Sequence, residues 1–252
     1  MKVTIITGAS SGLGKAFAKN LLNNAKQDDE FWLIARRKDR LDEMAADYEN
    51  VKIKTFAVDL SDKNSRTAFF DEMKSLNPTI KALINNAGYE REGKFIDLPL
   101  DVLQNIIDVN VSGATAMIHE CTPFIEKGGY IVDTCSVSGF VPNVNAAVYS
   151  ATKTYLLYLS RVLREELRER KINVLALCPG NMDTEMNAKK KAKENQSRAS
   201  GLPWLNVETI VEKSLKKAKE GNAVYTPGVF YKFYRLAAKI FPQSIMVKFA
   251  KL

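Results

Sequence analysis

Short apolar runs alternate with longer helical patterns along most of this chain, and few folds accommodate that rhythm. Val3-Thr4-Ile5-Ile6 is followed by a helix from about Gly12, Phe31-Trp32-Leu33-Ile34 by a polar helix near Asp39, and Val51 to Val58 by a helix after Asp62. The pattern continues through Ala82-Leu83-Ile84, a helix from about Leu100, Tyr130-Ile131-Val132, a long helix through Leu167 and Ile172 to Leu177; Ala223-Val224-Tyr225 supplies a further strand. Runs that are apolar on both faces and separated by crossover helices pair in parallel and are covered on both sides. The expected class is therefore α/β, a doubly wound, Rossmann-like parallel sheet of about seven strands, with a helical C-terminal extension.

With 252 residues, 46% of them hydrophobic, residues 1–252 can form a single domain around one core. The longest apolar stretches fall far short of the roughly 20 residues that cross a bilayer. Met1-Lys2 leads straight into the first strand without an apolar leader, so a cytoplasmic protein is expected. Cys121, Cys135 and Cys178 are widely spaced in apolar segments and read as buried thiols, and His119 is the sole histidine, which disfavours a zinc dehydrogenase or a Ser/His hydrolase. The net charge of +8 suits a phosphate-bearing ligand, an anionic membrane or nucleic acid, and does not choose among them.

Thr7-Gly8-Ala9-Ser10-Ser11-Gly12-Leu13-Gly14 follows the first strand and opens the first helix. Gly8 can make the tight turn, Gly12 can let the backbone approach a pyrophosphate, and Gly14 can allow close packing, while free N–H groups from Ser10 to Leu13 face the phosphates. An NAD site commonly carries a carboxylate at the end of the second strand. Here that strand ends Ile34-Ala35-Arg36-Arg37, and two guanidiniums stand where a 2′-phosphate would lie, so NADP(H) is preferred. Asp59, ending the third strand beside Leu60, either reaches the adenine or caps the next helix.

Taken together, the glycine loop, Asn85-Asn86-Ala87-Gly88, Ser136, Tyr149-x-x-x-Lys153 and Pro179-Gly180 resemble the short-chain dehydrogenase/reductase family in order and spacing, over roughly residues 3 to 185. The resemblance implies hydride transfer between NADP(H) and a small-molecule carbonyl or alcohol, with Tyr149 moving the proton and Ser136 orienting the oxygen. It further implies that Asn110 positions a water leading to Lys153, that Asn85 is structural, that Asn86 to Gly88 line the cofactor, and that Pro179, Gly180 and Thr184 close over the nicotinamide. From the residues themselves, Tyr149 and Lys153 lie one turn apart on one helix face, and an ammonium beside a phenol favours the phenolate. Ser138 is the rival for the role given to Ser136.

Residues 183–205 resemble the family's variable substrate lid in position. Its lysines at 189, 190, 191 and 193 read as a solvated face, with an anionic substrate as the alternative. The tail 228–252 mixes large apolar residues with basic ones, which suits packing on a partner or over the cleft, or peripheral contact with a membrane. No nucleic-acid partner is expected. The helices carrying Asn110 and Tyr149 resemble the family's subunit-pairing helices, so a homodimer or homotetramer is expected. A cofactor sensor or a membrane scaffold without turnover is the alternative function.

Overall fold

A computed structural model describes residues 2–185 and 202–250. Seven parallel strands form one sheet in the order β3-β2-β1-β4-β5-β6-β7. They are β1 (Lys2–Thr7), β2 (Asp29–Ala35), β3 (Lys52–Ala57), β4 (Thr79–Asn85), β5 (Ile125–Thr134), β6 (Asn173–Leu177) and the short β7 (Val224–Tyr225). Helices α1 (Gly12–Asn23), α2 (Lys38–Ala46) and α3 (Lys63–Leu76) connect the first four strands. α4 (Leu100–Ile107) passes through a π-helical turn, Asp108–Gly113, into α5 (Ala114–Cys121), and α6 (Ala147–Glu166) precedes β6. α7 (Val207–Lys219), α8 (Val229–Ile240) and α9 (Gln243–Phe249) complete the described chain.

Alternation along the strands builds a separate core on each face of the sheet. Val3, Ile5, Trp32, Ile34, Ile131, Val174 and Ala176 point to the side covered by α3, α5 and α6, where they meet Phe69, Met117 and Leu156. Ile6, Phe31, Leu33, Val132, Leu175 and Leu177 point to the other side, against Phe17 of α1, Leu41 of α2 and Val211 of α7.

The chain builds outward from β1 to β3 and then returns to the other flank of β1 with β4. At such a reversal the two connections leave in opposite directions and open a crevice beyond the strand ends. The glycine loop leaves β1 at that point. None of the helices among the described residues is long and apolar enough to cross a membrane.

Candidate active site

The loop after β1 is shaped by its glycines. Gly8 and Gly12 have φ of +68° and +52°, a left-handed conformation that a side chain disfavours. A Cβ on Gly14 would stand 2.1 Å from the Gly8 carbonyl oxygen, so only a glycine lets α1 start this close to the turn. Thr7 ties the loop to β4, its hydroxyl accepting from the backbone N–H groups of Asn86 and Ala87, each at 2.9 Å.

One cavity of about 260 Å³ collects nearly all of the residues that the sequence singled out. Gly8, Ser10, Ser11, Gly12, Leu13, Arg36, Arg37, Asp59 and Leu60 line one end. Asn86, Ala87, Gly88, Ser136, Tyr149, Lys153, Pro179, Gly180 and Thr184 line the rest. Thr184 sits over the glycine loop, with its Cβ 3.3 Å from where a Gly12 Cβ would be.

At the basic end, Arg36 is exposed, whereas Arg37 donates to Ser10 Oγ at 3.4 Å and to Glu185 at 3.2 Å. Arg40, which sequence reasoning did not single out, holds the other oxygen of Glu185 at 2.8 Å. These arginines hold the Glu185 carboxyl below the ordinary carboxylate range, Arg40 most strongly. Asp59 turns back onto its own loop, accepting from the Ser61 N–H at 2.9 Å and hydroxyl at 2.6 Å. Burial alone would raise its carboxyl; the Ser61 bonds and the charges of Arg36 and Arg66 leave it lowered. The helix-capping role considered for Asp59 belongs instead to Asp62, which accepts from Asn64 N–H and Ser65 N–H, because only the residue preceding the first turn can reach those free donors.

Lys153 is buried, and its Nζ donates to the Thr134 carbonyl oxygen at 2.7 Å, at the end of β5. The same Nζ lies 5.6 Å from the centroid of the Tyr149 ring. Burial lowers the ammonium from its ordinary value, against the opposing pull of nearby acidic groups that include Glu90 and Asp133. Burial also pushes the Tyr149 hydroxyl well above the usual phenol range; Glu90 adds to this, and a hydrogen bond with Ser136 opposes it. An ammonium beside the ring favours the phenolate, and burial of the hydroxyl acts in the opposite direction.

Ser136 and its rival separate cleanly. The Ser138 hydroxyl accepts from Asn143 Nδ2 at 3.0 Å, whereas Ser136 Oγ accepts from the Ser138 N–H at 3.1 Å and is the hydroxyl bonded to Tyr149. Asn110 sits in the π-helical turn, buried, as a clamp: Oδ1 accepts from Tyr89 N–H at 2.8 Å, while Nδ2 donates to Tyr89 O at 2.9 Å and Thr152 Oγ1 at 3.1 Å. Gly88 lies between this amide and Lys153; a Cβ there would be 3.3 Å from Lys153 Nζ and 3.4 Å from Asn110 Oδ1. Below the floor, Asn85 donates to Asp133 at 2.9 Å and Ser160 donates to the other oxygen of Asp133 at 2.8 Å, joining β4, β5 and α6.

Three cavity residues carried no signal in the sequence, Glu90, Glu92 and Asn143, whereas Leu202 comes from the expected lid and Tyr234 from the tail. Tyr234 arrives on α8, which is anchored by the buried Tyr231. Its hydroxyl donates to Pro203 O at 2.8 Å and accepts from Asn181 N–H at 3.1 Å, and its ring fills the space above Gly180. The tail therefore packs over the cleft. Of the expected lid, residues 186–201, with lysines 189, 190, 191 and 193, lie outside the described residues. Its two ends are joined where Leu205 N–H donates to Asn181 O at 2.9 Å. Cys121, Cys135 and Cys178 are free and buried.

The geometry agrees with the comparisons. A family model described as short chain dehydrogenase matches residues 2–195. An uncharacterized oxidoreductase of Staphylococcus epidermidis is 32% identical, over 73% of this chain and 80% of its own length. A short-chain dehydrogenase from Sphingobium yanoikuyae, solved in complex with NADPH, superposes with a TM-score of 0.80 at 28% identity, covering 98% of this chain and 95% of that one. A bulky-bulky ketone specific alcohol dehydrogenase from Comamonas testosteroni gives 0.77 at 25% identity, covering 98% and 94%. This chain belongs to the short-chain dehydrogenase family of oxidoreductases.

Proposed function

We propose that the protein is an NADP(H)-dependent oxidoreductase that interconverts a small-molecule carbonyl and the corresponding alcohol. One observation carries the reading: Tyr149, Ser136 and Lys153 share a cavity with a glycine loop at a helix N-terminus and with Arg36 and Arg37. The open backbone at Gly8, Gly12 and Gly88 is a cradle that side chains would fill, and it suits a dinucleotide. The loop from Ser10 to Leu13 would hold the pyrophosphate, Arg36 and Arg37 the 2′-phosphate, and Asn86 to Gly88 with Pro179, Gly180 and Thr184 the nicotinamide end. Bound there, the nicotinamide supplies or accepts the hydride. The NADPH held by the Sphingobium relative and the ketone specificity of the Comamonas enzyme support this assignment.

The proton belongs to this chain. Tyr149, kept protonated by burial, donates to the substrate oxygen as a carbonyl is reduced and removes the proton as an alcohol is oxidised. Ser136 has its acceptor side engaged by Ser138 N–H, so its own proton is available to hydrogen-bond and polarise the same oxygen. Lys153 presents its charge beneath the Tyr149 ring and stabilises the phenolate left after donation. Because the Asn110 amide is committed to Tyr89 and Thr152, we assign it to holding the wall beside Lys153, with any relay water taking the space left by Gly88.

The same helices carry exposed apolar residues away from the cavity: Ile107, Tyr155, Tyr158 and Val162. These support assembly as a homodimer or homotetramer, which light scattering at micromolar concentration tests.

The function is tested by following NADPH absorbance over a panel of ketones and aldehydes. Turnover, weaker with NADH, supports the proposal. Tight NADPH binding without turnover on any carbonyl favours a cofactor sensor.

A further inference from the structure

Helix α8 has two faces of different character. Tyr231, Tyr234 and Arg235 point inward, Tyr231 fully buried and Arg235 over the Phe140 ring at 5.2 Å. With about 100° between successive residues, Val229, Phe233, Leu236 and Ile240 fall on the opposite side, and they are exposed by 69%, 67%, 52% and 67%. Phe241 and Ile245 extend the apolar strip toward α9. A surface helix of a globular protein normally turns its apolar stripe to the core. Here the stripe faces outward, and Lys232 and Lys239, both exposed, border it along one side.

Charge decides what covers this face. From Gly221 to the C-terminus there is no aspartate or glutamate, against Lys232, Arg235, Lys239, Lys248 and Lys251. Pairing the face with its own copy would bring Lys232 and Lys239 of two chains together with no carboxylate from this region to offset them. An anionic bilayer surface supplies the complement to both features: acyl chains for the phenylalanine, leucine and isoleucine side chains, and phosphate headgroups for the bordering lysines.

We propose that α8 and the start of α9 dock this protein peripherally on an anionic lipid surface, with Phe233, Leu236 and Ile240 immersed and Lys232 and Lys239 at the headgroups. Tyr234 on the inner side of α8 lines the active-site cavity, so docking sets the cavity wall directly against the membrane. Gln243 Nε2, donating to Phe140 O at 3.1 Å, couples the start of α9 to the same wall. The docking is independent of whether the enzyme turns over a carbonyl.

The test is co-sedimentation of the full chain with vesicles of phosphatidylcholine alone or mixed with phosphatidylglycerol, at low and high salt. The protein pellets with the mixed vesicles, does so less at high salt, and stays largely in the supernatant with phosphatidylcholine alone. Phe233→Ser with Leu236→Ser, and separately Lys232→Gln with Lys239→Gln, each weaken binding roughly tenfold. Unchanged melting temperature and NADPH affinity in these variants show that the fold is intact. No pelleting with mixed vesicles overturns the proposal. A loss of oligomer mass in Phe233→Ser with Leu236→Ser, without any vesicle binding by the wild type, assigns the face to a second copy instead.

Discussion

Lys153 Nζ lies 2.7 Å from the carbonyl oxygen of Thr134, the last residue of β5. A neutral acceptor orients the lysine without cancelling its charge, so the ammonium remains available to the Tyr149 ring 5.6 Å away. Strand β5 thereby sets the lysine, and the loop that follows it sets Ser136.

The raised Tyr149 hydroxyl gives the reaction a direction in pH. A phenol held above its ordinary range keeps its proton through neutrality. Carbonyl reduction, which needs that proton, is expected to be flat across neutral pH and to decline only under alkaline conditions. Alcohol oxidation needs the phenolate and rises with pH over the same range. Initial rates in both directions check this; an oxidation rate that falls between neutral and alkaline pH, with the protein still folded, contradicts it.

Glu185 engages Arg37 and Arg40 where the 2′-phosphate would bind. Glu185→Ala is expected to tighten NADPH binding by up to about fivefold, the scale of an exposed ion pair, and to leave NADH binding unchanged. Arg36→Ala with Arg37→Ala is expected to weaken NADPH by roughly tenfold or more. Fluorescence titration with both cofactors measures this, and equal effects on NADPH and NADH would contradict it.

Gly88 leaves room between Lys153 and Asn110. Gly88→Ala places a methyl against both polar atoms, and is expected to reduce kcat by about tenfold or more through displacement of the lysine. The melting temperature should fall little, since Gly88 is not part of either core. Full activity in the variant would remove this space from the proton path.

Asp133 is buried between Asn85 and Ser160, and burial pushes its carboxyl up from 3.8 to about 6, against the hydrogen bonds of those partners. Because the folded value is raised, its contribution to stability is complete below about pH 4 and is lost as the pH rises through 6. The interval from 3.8 to about 6 corresponds to about 3 kcal/mol. The melting temperature of wild type relative to Asp133→Asn should therefore be higher at pH 4 than at pH 7.5. A difference that does not move with pH contradicts this.

The sheet was legible because every strand is a short β-branched run between helices, and the glycine loop because its spacing is local. Tyr149 and Lys153 could be paired from one helical turn. What lay hidden depends on partners distant in sequence. Glu185 meets Arg37 and Arg40 across about 145 residues, and nothing near any of them encodes the meeting. The tail's packing over the cleft was legible in its amphipathic pattern, but the residue that anchors it, Tyr231 over Gly180, was not. Helix spacing pairs the phenol with its ammonium but does not report the depth of burial that raises the hydroxyl.

The most direct test of the account is the rate of carbonyl reduction by Tyr149→Phe, measured beside NADPH affinity in the same variant. Loss of the hydroxyl should lower kcat by at least about 10²- to 10⁴-fold with NADPH affinity changed little. Retained turnover would show that the proton comes from elsewhere and would contradict the assignment of Tyr149.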